Sequence, residues 1–236
     1  RDTTAAYAVL SLAGPKARKV LSLVSDVNLS DSAFRFNSLQ NFYIGHAPVF
    51  AQRLSYTGEL GWEIFITPDF AEYVFETLLE AGEPFGLRLV GTEALNALRI
   101  EKGFLHWGHD MSYTEAPHQV GLSSICRPHK PVPFIGRDAY LERTAKGKGP
   151  FLCFVKLKSS KPLLHHNEPV LIDEKIVGYV SSGAFAYAQD AAVGICFINL
   201  DDRTLIESGS HAIVVEGKVI PANVRLKPFS LPQRSN

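Results

Sequence analysis

The 236-residue chain sets 24 Lys+Arg against 24 Asp+Glu, for a formal net charge of +0, and 46% of its residues are hydrophobic. That balance excludes a general electrostatic pull toward nucleic acid or an anionic membrane, and the length allows one large core or two smaller ones. No run of about 18 apolar residues is present to form a membrane-spanning helix.

Tyr7 to Leu12 reads as a strand. Gly14-Pro15 then opens a helix with Val20, Leu21 and Val24 on one face and Pro15 at the first helical position, where its missing N–H costs nothing. Phe42 to Ile44 and Val49 to Tyr56 are strand candidates around Gly45. Thr67 is the expected N-cap of a helix that starts at Pro68, with Asp69 well placed against the helix dipole. Phe70, Tyr73, Val74, Leu78 and Ala81 repeat at three- and four-residue spacing up to Gly82, so this helix is amphipathic. A second N-cap at Thr92 predicts a helix through Leu95, Leu98 and Ile100 that stops at Gly103. "FIGRDAYLERTAKGKG" predicts a short helix running into a flexible basic linker, Lys146 to Pro150.

Beyond residue 150 the hydrophobic period changes to two. "FLCFVKL", "PVLIDEKIVGYVSSG", "AVGICFINL" and "HAIVVEGKVIPANVRL" read as strands, with tight turns at Asp173-Glu174 and Glu216-Gly217. The expected fold class is α+β over residues 1–149, followed by a small antiparallel β-barrel or sandwich over residues 150–236. Cys153 and Cys196 lie in apolar runs, which predicts buried free thiols and a reducing compartment. The chain begins "RDTTAAYAVLSLAG", without an initiator methionine or a targeting pattern, and reads as the middle of a longer polypeptide.

Catalytic patterns are sparse. His106-x-x-His109 has a usable metal spacing, but Gly103 and Gly108 argue for irregular backbone and no second pair supports it, so no metal site is expected. There is no G-x-S-x-G around Ser182 and no G-x-G-x-x-G, so neither a hydrolase elbow nor dinucleotide binding is expected. "LRIEKGFLHWGHD", Leu98 to Asp110, is denser: either Arg99 and Glu101 pair on the surface over core aromatics, or the helix end walls a pocket for a planar heterocycle. In "SYTGELGWEIFIT" the period puts Trp62 with Ile64 and Ile66, and Glu63 on the other face with Phe65. Glu63 is then either a satisfied structural acid or a carboxylate that accepts the paired N–H and amine of a pterin or guanine ring.

"YTGELGWE", "ALRIEKGFLHWGHD", "FIGRDA" and "VGYVSSG" together resemble the folate-binding aminomethyltransferase superfamily of the glycine cleavage T-protein. The likeness runs from Ala5 to Phe229, and it is closest to the C-terminal part of sarcosine and dimethylglycine dehydrogenases. It implies part of a folate-binding fold with a jelly-roll-like terminal β-domain. It also implies tetrahydrofolate as cofactor, with Glu63 receiving the pterin, Tyr56 and Phe104 lining the pocket and Trp107 beside them. The one-carbon unit from oxidative N-demethylation would be captured as 5,10-methylenetetrahydrofolate. FAD would sit in a missing N-terminal flavin domain, electron-transfer flavoprotein would be a partner of the full-length enzyme, and the location would be the mitochondrial matrix.

The chain departs from the pattern in three places. The family's catalytic aspartate lies upstream of the first strand, so no catalytic residue is assigned. Leu95 stands where T-protein proper has an arginine, which disfavours a stand-alone aminomethyltransferase. "APHQVGL", Ala116 to Leu122, has Gln119 in place of a glutamate, which leaves open a non-catalytic module like the regulatory subunit of pyruvate dehydrogenase phosphatase.

Overall fold

Trp62, Ile64 and Ile66 are fully buried while Glu63 and Phe65 between them are only partly so, and this alternation decides which side of the strand meets the core. A computed structural model of the protein describes residues 1–147, 149–200 and 204–230, in two compact units, Arg1–Leu95 and Asn96–Ser230. In the first unit β1 (Ala8–Ala13), β2 (Leu39–Ile44), β3 (Ala47–Gln52) and β4 (Gly61–Ile66) form an antiparallel sheet in the order β1-β4-β3-β2. Helices α1 (Ala17–Val24) and α2 (Pro68–Gly82) bury Val20, Leu21, Val74 and Leu78 against Leu12, Ile44, Ala51, Trp62, Ile64 and Ile66.

The first helix begins two residues later than expected. Lys16 is its N-cap, and Pro15 belongs to a turn closed by the Ala17 N–H donating to the Gly14 carbonyl at 3.1 Å. Strand β3 stops at Gln52, short of Tyr56, because the next side chain turns inward. Arg53 is buried, with Nη1 donating to the Phe34 carbonyl at 2.7 Å and Nη2 paired with Asp31 at 2.6 Å. Thr67 does hold the extended N-cap position ahead of Pro68, although its hydroxyl makes no capping bond. Gly45 turns the β2–β3 hairpin with φ +57°, and a Cβ there would collide with the Tyr73 hydroxyl.

The boundary between the units falls inside α3 (Thr92–Glu101), of which Thr92 is the first helical residue instead of the cap. After α4 (Ser123–Cys126) and α5 (Arg137–Ala145) come β5 (Phe151–Leu157), β6 (Pro169–Ile172), β7 (Lys175–Ala186), β8 (Ala191–Ile198), the short α6 (Leu205–Ser208), β9 (His211–Val215) and β10 (Lys218–Arg225). Lys148 of the predicted linker lies outside the described residues.

The six strands close as an antiparallel barrel in the order β10-β5-β8-β7-β6-β9, with β9 pairing back onto β10. The two expected hairpin turns are there, with φ of 48° and 66° at Asp173-Glu174 and 50° and 74° at Glu216-Gly217. Consecutive left-handed residues give the twist that a two-residue hairpin needs. Every residue of β8 is buried: Cys196 and Ile198 face the barrel core, and Val193 and Ile195 pack outward with Ile100, Phe154 and Leu105. Cys153 and Cys196 are free and buried, paired across β5 and β8.

Candidate functional site

Glu63 sits third in β4, on the sheet face opposite the two helices. Strand register puts Ser11 of β1 and Gln52 of β3 directly to either side of it. The next row toward the end of β4 is apolar: Val9, Phe65 and Phe50, with the Phe50 and Phe65 rings stacked at 4.7 Å and 6° and Tyr7 edge-on to Phe50 at 5.1 Å. Val9, Leu39 and Tyr43 on this face are 50%, 53% and 62% exposed, so the face is open. Among the described residues no hydrogen bond or ion pair engages the Glu63 carboxylate, and its partial burial raises its pKa above the ordinary 4.5. Desolvation penalises the charged form, and a pair of ligand donors would offset that penalty.

The turn before β4 is tightly built. Ser55 Oγ donates to the Glu59 carbonyl at 2.6 Å, Gly58 takes φ +72°, and the Gly14 N–H bonds the Leu60 carbonyl at 2.8 Å. Gly61 leaves no room for a side chain, since a Cβ would lie 2.8 Å from the Leu12 carbonyl oxygen. Tyr56 is half-buried in this turn, so Tyr56 and Glu63 flank a fixed piece of backbone.

In the second unit the loop after α3 carries Phe104 and Trp107, the first half-buried and the second 63% exposed. What holds this loop is ionic. Arg99 and Asp110 are each 2% exposed and pair directly. The Arg99 guanidinium also donates to Ser182 Oγ at 2.9 Å, to the Phe104 carbonyl at 3.1 Å and to Asn96 Oδ1 at 3.3 Å. Asp110 accepts from Ser181 Oγ at 2.6 Å and from the His106 N–H at 2.8 Å. Burial works against its charge, but the two serine hydroxyls, the Arg99 charge and the His106 amide together lower the Asp110 pKa.

Arg99 and Glu101 are therefore interior residues, and the surface-pair reading of "LRIEK" does not hold. Ser181 and Ser182 were not legible as partners. The one hint was two adjacent hydroxyls before Gly183, in a strand whose flanks are apolar. His109 stacks on His166 at 4.9 Å, and among the described residues no group of three His, Cys, Asp or Glu is arranged to hold a metal ion.

The Gln119 departure has a structural account. Its Oε1 accepts the Ala116 N–H at 2.9 Å and its Nε2 donates to the Gly149 carbonyl at 3.3 Å. A glutamate could make the first bond but not the second.

Residues 1–130 match the GCVT N-terminal domain family, and residues 151–230 match the glycine cleavage T-protein C-terminal barrel domain family. The chain is 35% identical to 4-methylaminobutanoate oxidase (formaldehyde-forming) of Paenarthrobacter nicotinovorans over 98% of its own length and 28% of that protein's. It is 33% identical to the mitochondrial dimethylglycine dehydrogenase of Mus musculus over 99% of its own length and 27% of the other's. The chain thus spans little more than a quarter of these relatives. The crystal structure of glycine cleavage system aminomethyltransferase T from Bartonella henselae superposes with a TM-score of 0.79 at 25% identity, covering 98% of this chain and 61% of that one. With its open-faced sheet unit and its closed barrel both accounted for, the chain belongs to the glycine cleavage T-protein family.

Proposed function

We propose that this chain is the tetrahydrofolate-binding portion of a longer flavoenzyme of the sarcosine and dimethylglycine dehydrogenase type, where the one-carbon unit from oxidative N-demethylation is captured as 5,10-methylenetetrahydrofolate. The observation that carries the reading is Glu63, a half-buried carboxylate with raised pKa and no donor among the described residues, beside a stacked aromatic pair. A pterin edge sets a ring N–H next to an exocyclic amine, which one carboxylate accepts as a bidentate pair. Bound tetrahydrofolate would supply the nitrogen nucleophiles that take up the one-carbon unit.

The part of this chain, residues 1–149 above all, is to hold and orient the pterin and keep water from it. Glu63 clamps its edge. Tyr56, Phe104 and Trp107 are assigned to aromatic cover, each on backbone fixed within its own unit. No residue here is assigned to the flavin or to acid catalysis; FAD, and electron-transfer flavoprotein as acceptor, belong to the rest of the polypeptide. The relatives' names, a formaldehyde-forming 4-methylaminobutanoate oxidase and a mitochondrial dimethylglycine dehydrogenase, support an N-methylated amino acid as substrate and a mitochondrial matrix location.

The test is titration of the full-length polypeptide with 5-formyltetrahydrofolate, wild type against Glu63→Gln. Removing one charged acceptor of two bonds should weaken binding about tenfold or more. Unchanged affinity overturns the assignment. Folate binding without any oxidation of N-methyl amines would instead favour the regulatory-module reading.

A further inference from the structure

The open face of the first sheet carries more than one polar residue. Along one row, on three adjacent strands, stand Ser11, Glu63 and Gln52, with the apolar row of Val9, Phe65 and Phe50 next to it. Neighbouring strands lie about 4.8 Å apart, so the three side chains leave the sheet side by side at roughly that spacing.

Gln52 is not a free surface amide. Its Nε2 donates to Asn37 Oδ1 at 2.8 Å, and Asn37 is itself set by a left-handed backbone, φ 61°, and by its N–H bond to the Arg53 carbonyl at 2.8 Å. An –NH2 group has two hydrogens, so one donor of Gln52 remains beyond the bond to Asn37. Ser11 is exposed, and among the described residues its hydroxyl makes no side-chain hydrogen bond.

From this row we infer that Ser11 and Gln52 are specificity-determining contacts on either side of Glu63, and that the row selects a fused 2-amino-4-oxopyrimidine edge. The inference rests on the pterin reading of Glu63 and deepens it. Read across the strands, the protein offers donor, two acceptors, donor. A 2-amino-4-oxo heterocycle offers the complement: the 4-oxo acceptor, the N3–H and 2-amino donors, then the N1 acceptor. A carboxylate alone fixes only the middle pair and tolerates any ring with two adjacent donors. The flanking donors add a penalty for a ring that keeps the same two donors but lacks an acceptor beside them, because a desolvated donor would then go unpaired.

The experiment titrates the full-length polypeptide with 5-formyltetrahydrofolate and with its 1-deaza analogue, which keeps the N3–H and 2-amino donors and lacks the N1 acceptor. Wild type is compared with Ser11→Ala, Gln52→Leu, Gln52→Asn and Glu63→Gln. Gln52→Asn keeps an amide but shortens its reach, which covers the case in which Gln52→Leu does not fold. Loss of one neutral hydrogen bond should weaken 5-formyltetrahydrofolate binding about three- to tenfold in the Ser11 and Gln52 variants. At least one of them should also lose preference for the parent compound over the 1-deaza one. If Glu63→Gln weakens binding but the flanking variants bind within twofold of wild type, the inference fails and the Glu63 clamp stands. A weakening equal for both probes in every flanking variant marks a structural effect and also refutes it. If Glu63→Gln binds as wild type does, both readings fall together.

Discussion

Replacing Asp110 by alanine should destabilise the second unit by about 3–5 kcal/mol, the cost of removing one member of a buried ion pair and leaving the other charge behind. The structure says why the figure belongs in that range. Arg99 is 2% exposed and would lose its counter-ion, the His106 N–H would lose its acceptor, and Ser181 Oγ would be left with the longer bond to the Ile195 carbonyl at 3.3 Å. Arg99 keeps three other acceptors, Ser182, Asn96 and the Phe104 carbonyl, so the loss should not exceed the range.

The pairing itself is isolated by Arg99→Met and the double variant Arg99→Met/Asp110→Ala. Once the stranded charge is gone, the double variant should be about 2 kcal/mol or more better than the sum of the singles. Urea unfolding, followed in parallel by circular dichroism and tryptophan fluorescence, reads all four proteins, and coincident transitions check that one free energy describes each. An Asp110→Ala effect below about 1 kcal/mol, or additive singles, would refute the argument and mean that the site is wet. The pH dependence has a fixed sign. Because the folded-state pKa of Asp110 lies below the ordinary 3.8, its contribution is complete above that value and is lost as pH falls through the lowered one.

Glu63 should behave in the opposite sense: with its pKa raised above 4.5 by burial, ionisation costs stability, so the wild type loses stability as pH rises through that window. Glu63→Gln should therefore melt higher than wild type at pH 7 and with it at pH 4, and a wild type more stable at pH 7 would count against a desolvated, donor-free carboxylate. Gly45→Ala should cost about 1 kcal/mol from its left-handed φ, and more from the Tyr73 hydroxyl. Adding Tyr73→Phe should recover the steric part alone, and equal melting temperatures for single and double variants would show that Tyr73 moves aside freely.

Much of the architecture can be read from the chain because it is written locally. Period-two runs mark the barrel strands, and Asp173-Glu174 and Glu216-Gly217 are turn pairs whose left-handed backbone the hairpins require. The face assignment along β4 was equally accessible, since alternation alone separates Glu63 from Trp62. The loop network was not. Arg99, Glu101 and Lys102 look like a solvated helix end, yet all three are buried, and hydropathy carries no record of a partner elsewhere. The Ser181 hydroxyl that meets Asp110 is 71 residues away in sequence, and the Ser182 hydroxyl that meets Arg99 is 83 away. The end of β3 failed for the same reason: Arg53 turns inward to Phe34, 19 residues back.

The barrel closes through β10, the last strand among the described residues, which joins β5 on one side and β9 on the other. Strand β5 begins at Phe151 and β10 at Lys218, so the ring cannot be sealed until about seventy further residues have followed β5. A nascent or truncated chain lacking β10 would present two unpaired backbone edges at once, on β5 and on β9, each a template for pairing with another chain. Strand β10 thus guards against self-association, and chaperone demand during synthesis should be greatest in the interval between the emergence of Phe151–Leu157 and that of Lys218–Arg225.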